Sequence, residues 1–292
     1  MKNRTCFALT LALLLGSFLP ACFVTAQEPH EIELLVAGTE VTDTFINLRD
    51  QEMRLSRADL AFGTLTLCPG SQAGALCTTA RMEWLDSVIV DALDQNLKSA
   101  GTLTGVTGET LSWMYDLGFS SQLTQTKSFV LDAAEELGGY SCRVEGEYLR
   151  EGIAIPFEAN LIVQQTEETE QGMAVVRKST SDSFSHLLTT SDQSLTVTFD
   201  PRVWFADSNM EEFLEDSTCM PEGPPIVCRG QIEERCDADG MISSTTNCTA
   251  QGQVCVKELG CQDKILIPDT SSTYRSLQGA LVAGERPTFA FN

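Results

Sequence analysis

From Glu31 onward the chain is a succession of short apolar–polar alternations separated by turn residues, which is the period-two signature of strands rather than helices. EIELLVAGT, from Glu31, reads as a first strand. In MRLSRADLAFGTLTLC, Leu60 and Phe62 share one face, whereas Leu65 and Leu67 have the opposite parity. The phase slips at Gly63, as one extra residue in a β-bulge would make it. TLSWMYDLGF places Trp113, Tyr115, Leu117 and Phe119 on one face, opposite Ser112, Met114 and Asp116. That pattern predicts a half-buried strand with Trp113, Tyr115 and Leu117 turned to the core. YSCRVEGEYL and IAIPFEANLIVQ flank Arg150-Glu151-Gly152 and predict a β-hairpin. MAVVRK and SLTVTFDPRVWF follow, the latter alternating through Leu195, Val197 and Phe199. Helical patterns are fewer: SFVLDAAEELGG, stopped by its glycine pair, SNMEEFLED, and STYRSLQGALVAG. RPTFAFN at the end reads as one more strand. The fold class expected is mainly β: an antiparallel β-sandwich with a few short helices and a small disulfide-rich inserted module.

That module interrupts the alternation. CRGQIEERCDADGMISSTTNCTAQGQVCVKELGC, from Cys228 to Cys261, holds few large apolar side chains and cannot build a core of its own. The cysteine spacing lacks the close C-x2-C pairs that bring two thiolates to one tetrahedral zinc, and no histidine lies inside. Disulfides are the expected staples, each worth ~2–4 kcal/mol through restriction of the unfolded chain. Adding Cys219 to Cys228, Cys236, Cys248, Cys255 and Cys261 gives an even set whose connectivity the sequence leaves open. Cys68 and Cys77 bracket the turn-rich PGSQAGAL and are expected to close a local loop, leaving Cys142 as a buried, unpaired thiol.

The first residues place these cysteines in an oxidising compartment. Lys2 and Arg4 precede an apolar run from Phe7 to Phe18, then Pro20, then Val24-Thr25-Ala26: a secretory signal with an A-x-A-like exit. Leu19-Pro20-Ala21-Cys22 offers a second reading, a lipobox that would leave Cys22 lipidated, and only in that case would the protein meet a membrane. Either route exports the protein to the periplasm, the outer-membrane surface or the extracellular space. The expected organisation is a signal peptide over 1–26, the sandwich over 27–218, the cysteine module over 219–263, and a final helix and strand over 264–292 rejoining the sandwich. The module is expected to fold separately.

Charge narrows the partners. Removing residues 1–26 leaves 17 basic and 41 acidic side chains, a net charge of −24. Nucleic acid and anionic lipid both recruit Lys/Arg clusters, so neither is an expected partner. DADG, from Asp237 to Gly240, has the alternating carboxylates of a calcium loop but lacks the later Glu, and reads better as an Asx-type turn.

The phrases LAFGTLTLCPGSQAGALC, GTLTGVTGETLSWMYDLGF and LVAGERPTFAF resemble exported proteins of myxobacteria and related bacteria, over most of the chain from Glu31. More distantly, the strand-rich half is similar to the periplasmic MbnP proteins, β-sandwiches associated with copper uptake. In those, copper binding leans on histidine and an oxidised tryptophan. Here only His30 and His186 are on offer, not at ligand spacing, and His30 is expected in a loose N-terminal end, so the resemblance brings no copper site and no cofactor with it.

No G-x-S-x-G elbow, P-loop, Rossmann glycine set or HExxH is present, and His186 beside Ser185 points to the opposite face of a strand. A non-catalytic exported protein is therefore expected, a binding or surface-structural protein whose partner is a protein or glycan at the cell surface. The alternatives are a periplasmic copper- or calcium-associated protein and an outer-membrane lipoprotein with the same body.

Overall fold

The structure, a computed structural model, describes residues 27–41, 43–70, 80–117, 136–163, 176–179, 185–283 and 287–292. The signal segment, the lipobox with Cys22, Cys77, Phe119 and most of the first helical candidate lie outside these residues. Alternation begins at once in β1 (Pro29–Ala37), where Ile32, Leu34 and Val36 are buried between exposed Glu31 and Glu33. After β2 (Phe45–Ile46) comes the long β3 (Glu52–Cys68), then β4 (Met82–Trp84), β5 (Val88–Asp91), β6 (Lys98–Val106), β7 (Gly108–Thr110) and β8 (Ser112–Leu117). The hairpin β9 (Cys142–Arg150) and β10 (Ile153–Leu161) turns through Glu151 and Gly152, with φ of 51° and 80°. Two consecutive left-handed residues make the tight turn whose twist matches the strands. β11 (Val176–Ser179), β12 (His186–Leu188) and β13 (Ser194–Thr198) complete the first part of the chain.

β3 organises the sheet. Its first half pairs with β9, from Glu52 opposite Leu149 to Leu60 opposite Cys142, and its second half with β8, from Phe62 opposite Leu117 to Cys68 opposite Ser112. The register shifts between Phe62 and Leu65, which accounts for the change of phase around Gly63. Every residue from Leu60 to Cys68 is buried because this half is covered on both faces. Phe62 sits where the curled sheet closes on itself, with ring centroids 5.6 Å from Trp84, 6.0 Å from Tyr115 and 5.4 Å from Phe199. Pairing is mostly antiparallel, but β1 runs parallel to β13, from Glu33 opposite Ser194 to Ala37 opposite Thr198. Strands far apart in sequence are under no hairpin constraint, so either direction is open to them.

Three expectations about local structure change. β8 is buried on both faces: Asp116 is fully enclosed and accepts a hydrogen bond from Thr64 Oγ1 at 3.0 Å, so its polar side chain does not mark a solvent face. The strand expected through Phe205 stops at β13, because Asp200 accepts the Arg202 N–H and Pro201 opens a 3-10 turn over Pro201–Phe205. SNMEEFLED is likewise 3-10, over Met210–Phe213.

The module follows as β14 (Ile226–Arg229), β15 (Ile232–Cys236) and β16 (Ile242–Asn247) in one antiparallel sheet, then β17 (Val254–Val256) and β18 (Gly260–Gln262) in another. Disulfides join Cys219 to Cys236, Cys228 to Cys255 and Cys248 to Cys261, with Cα separations of 5.4, 5.8 and 5.1 Å. Cys68 is also disulfide-bonded, while Cys142 is a buried free thiol. The module packs on the sandwich. Val254 and Val256 belong to the main core, and Lys257 N–H donates to the Phe213 carbonyl at 2.8 Å. The chain then re-enters the main sheet: β19 (Ile265–Leu266) pairs with β10. Helix α1 (Ser272–Ala283) starts at Ser271, whose hydroxyl accepts the Tyr274 N–H at 3.0 Å. It buries Tyr274, Leu277 and Leu281 along one stripe. β20 (Thr288–Phe291) pairs antiparallel with β13 and ends the sheet. Among the described residues no helix is long and apolar enough to cross a membrane.

Candidate functional site

The chain's two histidines, 156 positions apart in sequence, meet on one residue. Asp192 closes the turn between β12 and β13, where its N–H donates to the Thr189 carbonyl. Its Oδ2 accepts from Thr189 N at 2.7 Å and Thr189 Oγ1 at 3.0 Å, which fixes the carboxylate. His186, first residue of β12, places Nε2 3.0 Å from Asp192 Oδ1. His30, second residue of β1, places Nε2 2.7 Å from the Asp192 backbone carbonyl. His30 is thus held in a strand, opposite Gly105 of β6, and the loose end expected for it is corrected.

The chemistry of these contacts fixes both tautomers. A carbonyl and a carboxylate can only accept, so each Nε2 carries a proton, and Nδ1 is the atom that holds the lone pair in the neutral ring. Burial pushes the Asp192 carboxyl up, but the Thr189 and His186 bonds outweigh it and hold its pKa below the ordinary value. The His186 ring lies parallel to Phe291 of β20 at 3.8 Å, with 2° between planes. Two residues earlier on the same strand, Phe289 stacks on Trp113 at 3.9 Å and 19°. Trp113 is half-buried with one face covered, while Tyr115 and Leu117 lie in the core.

The other candidates are satisfied by neighbouring groups. Glu233, Cys248 and Cys261 bring ligand atoms within 4.8 Å of one another, but the two sulfurs form a disulfide. Glu233 itself accepts from Cys261 N at 2.8 Å and pairs with Arg235 at 2.9 Å. Gly260 makes that contact possible: its φ is +75°, and a Cβ there would lie 2.3 Å from the Glu233 carboxylate. Asp237 spends Oδ1 on the N–H groups of Asp239 and Met241, at 3.0 and 2.8 Å, an Asx-type turn. Burial, followed by the nearby Asp59 charge, pushes the Cys142 thiol far up, which leaves it inert as a nucleophile.

Sequence reasoning missed Asp192 and Phe291 as partners of the histidines. Nothing in either stretch signals the meeting, which depends on β1 and β13 lying side by side.

No family model matches the chain, and no curated protein matches it. The resemblance to exported myxobacterial proteins therefore finds no counterpart there. Among solved structures, MbnP from Methylosinus trichosporium aligns over 91% of this chain and 99% of its own at 10% identity, with a TM-score of 0.34. A likeness that weak settles nothing about function.

Proposed function

We propose that the chain is an exported, non-catalytic binding protein of the cell envelope, and that His30 and His186 take a late first-row transition-metal ion. The convergence of both imidazoles on Asp192 carries the reading. Metal-ligating histidines characteristically donate their other ring N–H to a carboxylate or backbone carbonyl, which orients the ring and raises its basicity. His186 and His30 make one such bond each. Imidazole nitrogen suits copper, zinc and nickel, so each Nδ1 is a candidate donor to such an ion, with its remaining positions left to solvent or a partner. The disulfides fit an oxidising compartment outside the cytoplasm.

Elemental analysis and melting curves with and without chelator test the proposal. Binding at a hundredfold excess over Kd should stabilise the fold by about 2.7 kcal/mol. That gain should vanish on adding chelator and in His30→Ala and His186→Ala. A melting temperature indifferent to copper, zinc and nickel contradicts it.

A second reading, a glycan or protein partner at the surface, is favoured by a trough of about 340 Å³ on the outer face between Arg54, Glu147 and Lys264. Gly146 forms its floor, where a Cβ would lie 2.4 Å from the Arg54 carbonyl oxygen. Loss of glycan-array binding in Lys264→Glu would support that reading, and an unchanged profile would remove it.

A further inference from the structure

Beside Tyr115 the packing leaves a hollow. A cavity of about 280 Å³ remains between the end of β8, the 3-10 turn after β13, and the last turns of α1. Its inner surface is Leu60, Leu117, Phe199 and Leu281, all buried core residues, with Trp204 as one wall. The hollow is partly open to solvent. It corresponds to roughly nine waters at ~30 Å³ of liquid volume each. It lies just below the usual range of small-ligand sites, and like them it is apolar inside with a few polar groups at the mouth.

Those polar groups define the ligand. Asp200 and Arg202 sit at the mouth, with Thr39 and Thr198. Arg202 gives Nε and Nη2 to the Asp200 carboxylate, and Asp200 also accepts the Arg202 backbone N–H at 3.0 Å. Burial pushes the Asp200 carboxyl up, but the Arg202 bonds dominate and hold it below its ordinary value, so the pair stays charged and is internally neutral. Nη1 of Arg202, on a side chain 44% exposed, makes no hydrogen bond among the described residues. With a chain net charge of −22, the surrounding field repels anions.

We propose that this cavity binds a small neutral molecule with an apolar body and one carbonyl-type acceptor, the body among Leu60, Phe199 and Leu281 and the acceptor on Arg202 Nη1. The site is separate from the histidine pair and does not depend on a metal.

Amide-resolved NMR titration of the wild-type protein with acetophenone, hexanamide and hexanoate tests it without any substitution. Acetophenone and hexanamide should give saturable shifts centred on Phe199, Val203 and Leu281, and hexanoate weaker ones because of its charge. Leu281→Trp should fill the cavity and abolish the shifts, with Val203→Phe as the second filling variant should the first fail to fold. Arg202→Gln should weaken hexanamide roughly tenfold, as loss of a charged donor would. Absence of saturable shifts with any probe, shifts centred elsewhere, or unchanged binding in a folded filling variant overturns the site. Hexanoate binding as tightly as hexanamide overturns the neutral-ligand assignment.

Discussion

Asp192 joins three segments through a single side chain and its own carbonyl. Its carboxylate accepts from Thr189 and His186, and its backbone oxygen accepts from His30. Asp192→Asn keeps the shape but removes the charge and one acceptor, so stability at neutral pH should fall by about 1–3 kcal/mol. The pH dependence has a definite sign. The folded carboxyl titrates below its ordinary value of 3.8, so its contribution is fully present above that value and is lost as the pH falls through the folded one. Urea midpoints followed from about pH 5 to pH 2 should therefore decline less steeply in Asp192→Asn than in wild type. An acid limb identical in both would show that this carboxylate is not held as described. Residue-level roles of this kind are poorly legible in the sequence. His30 and His186 stand out as the only histidines, but Asp192 is one acid among 41.

At the scale of elements, local pattern and turn chemistry are the most readable features. The β9–β10 hairpin is legible from Glu151-Gly152, the break in β3 from the parity of Leu60 against Leu65, and α1 from its apolar stripe. The double-sided burial of β8 is not legible, because Ser112 and Asp116 look like solvent-facing residues and are buried by their neighbours. Nor is the parallel contact of β1 with β13, since side-chain alternation carries no information on strand direction. The terminal β20 closes the sandwich edge through Phe289 on Trp113 and Phe291 on His186. Truncating Phe289 to Ala removes a stacked ring from a half-buried site and should cost about 1–3 kcal/mol. Acrylamide should then quench Trp113 emission more readily than in wild type. The same quenching in both proteins would mean that the stack does not shield the indole.

For the molecule as a whole, the module is both stapled and docked. Its disulfides close sequence separations of 17, 27 and 13 residues, each worth ~2–4 kcal/mol. Val254, Val256 and the Lys257–Glu215 ion pair hold it to the sandwich. Mild reduction should open protease sites between Pro225 and Lys264 first, because that stretch cannot offset its chain entropy without cross-links. The strands from β1 to β13 keep the large core and should stay protected in limited proteolysis. Global unfolding on reduction would show instead that the docked valines are indispensable to the whole fold.

Metal binding by His30 and His186 is the central claim. Calorimetric titration of the metal-free protein with copper(II) and with zinc(II), alongside a folded His30→Ala, His186→Ala double variant, addresses it most directly. One ion per wild-type chain, with binding lost in the double variant, is the predicted result. No binding to wild type, or the same stoichiometry and affinity in the variant, would contradict it.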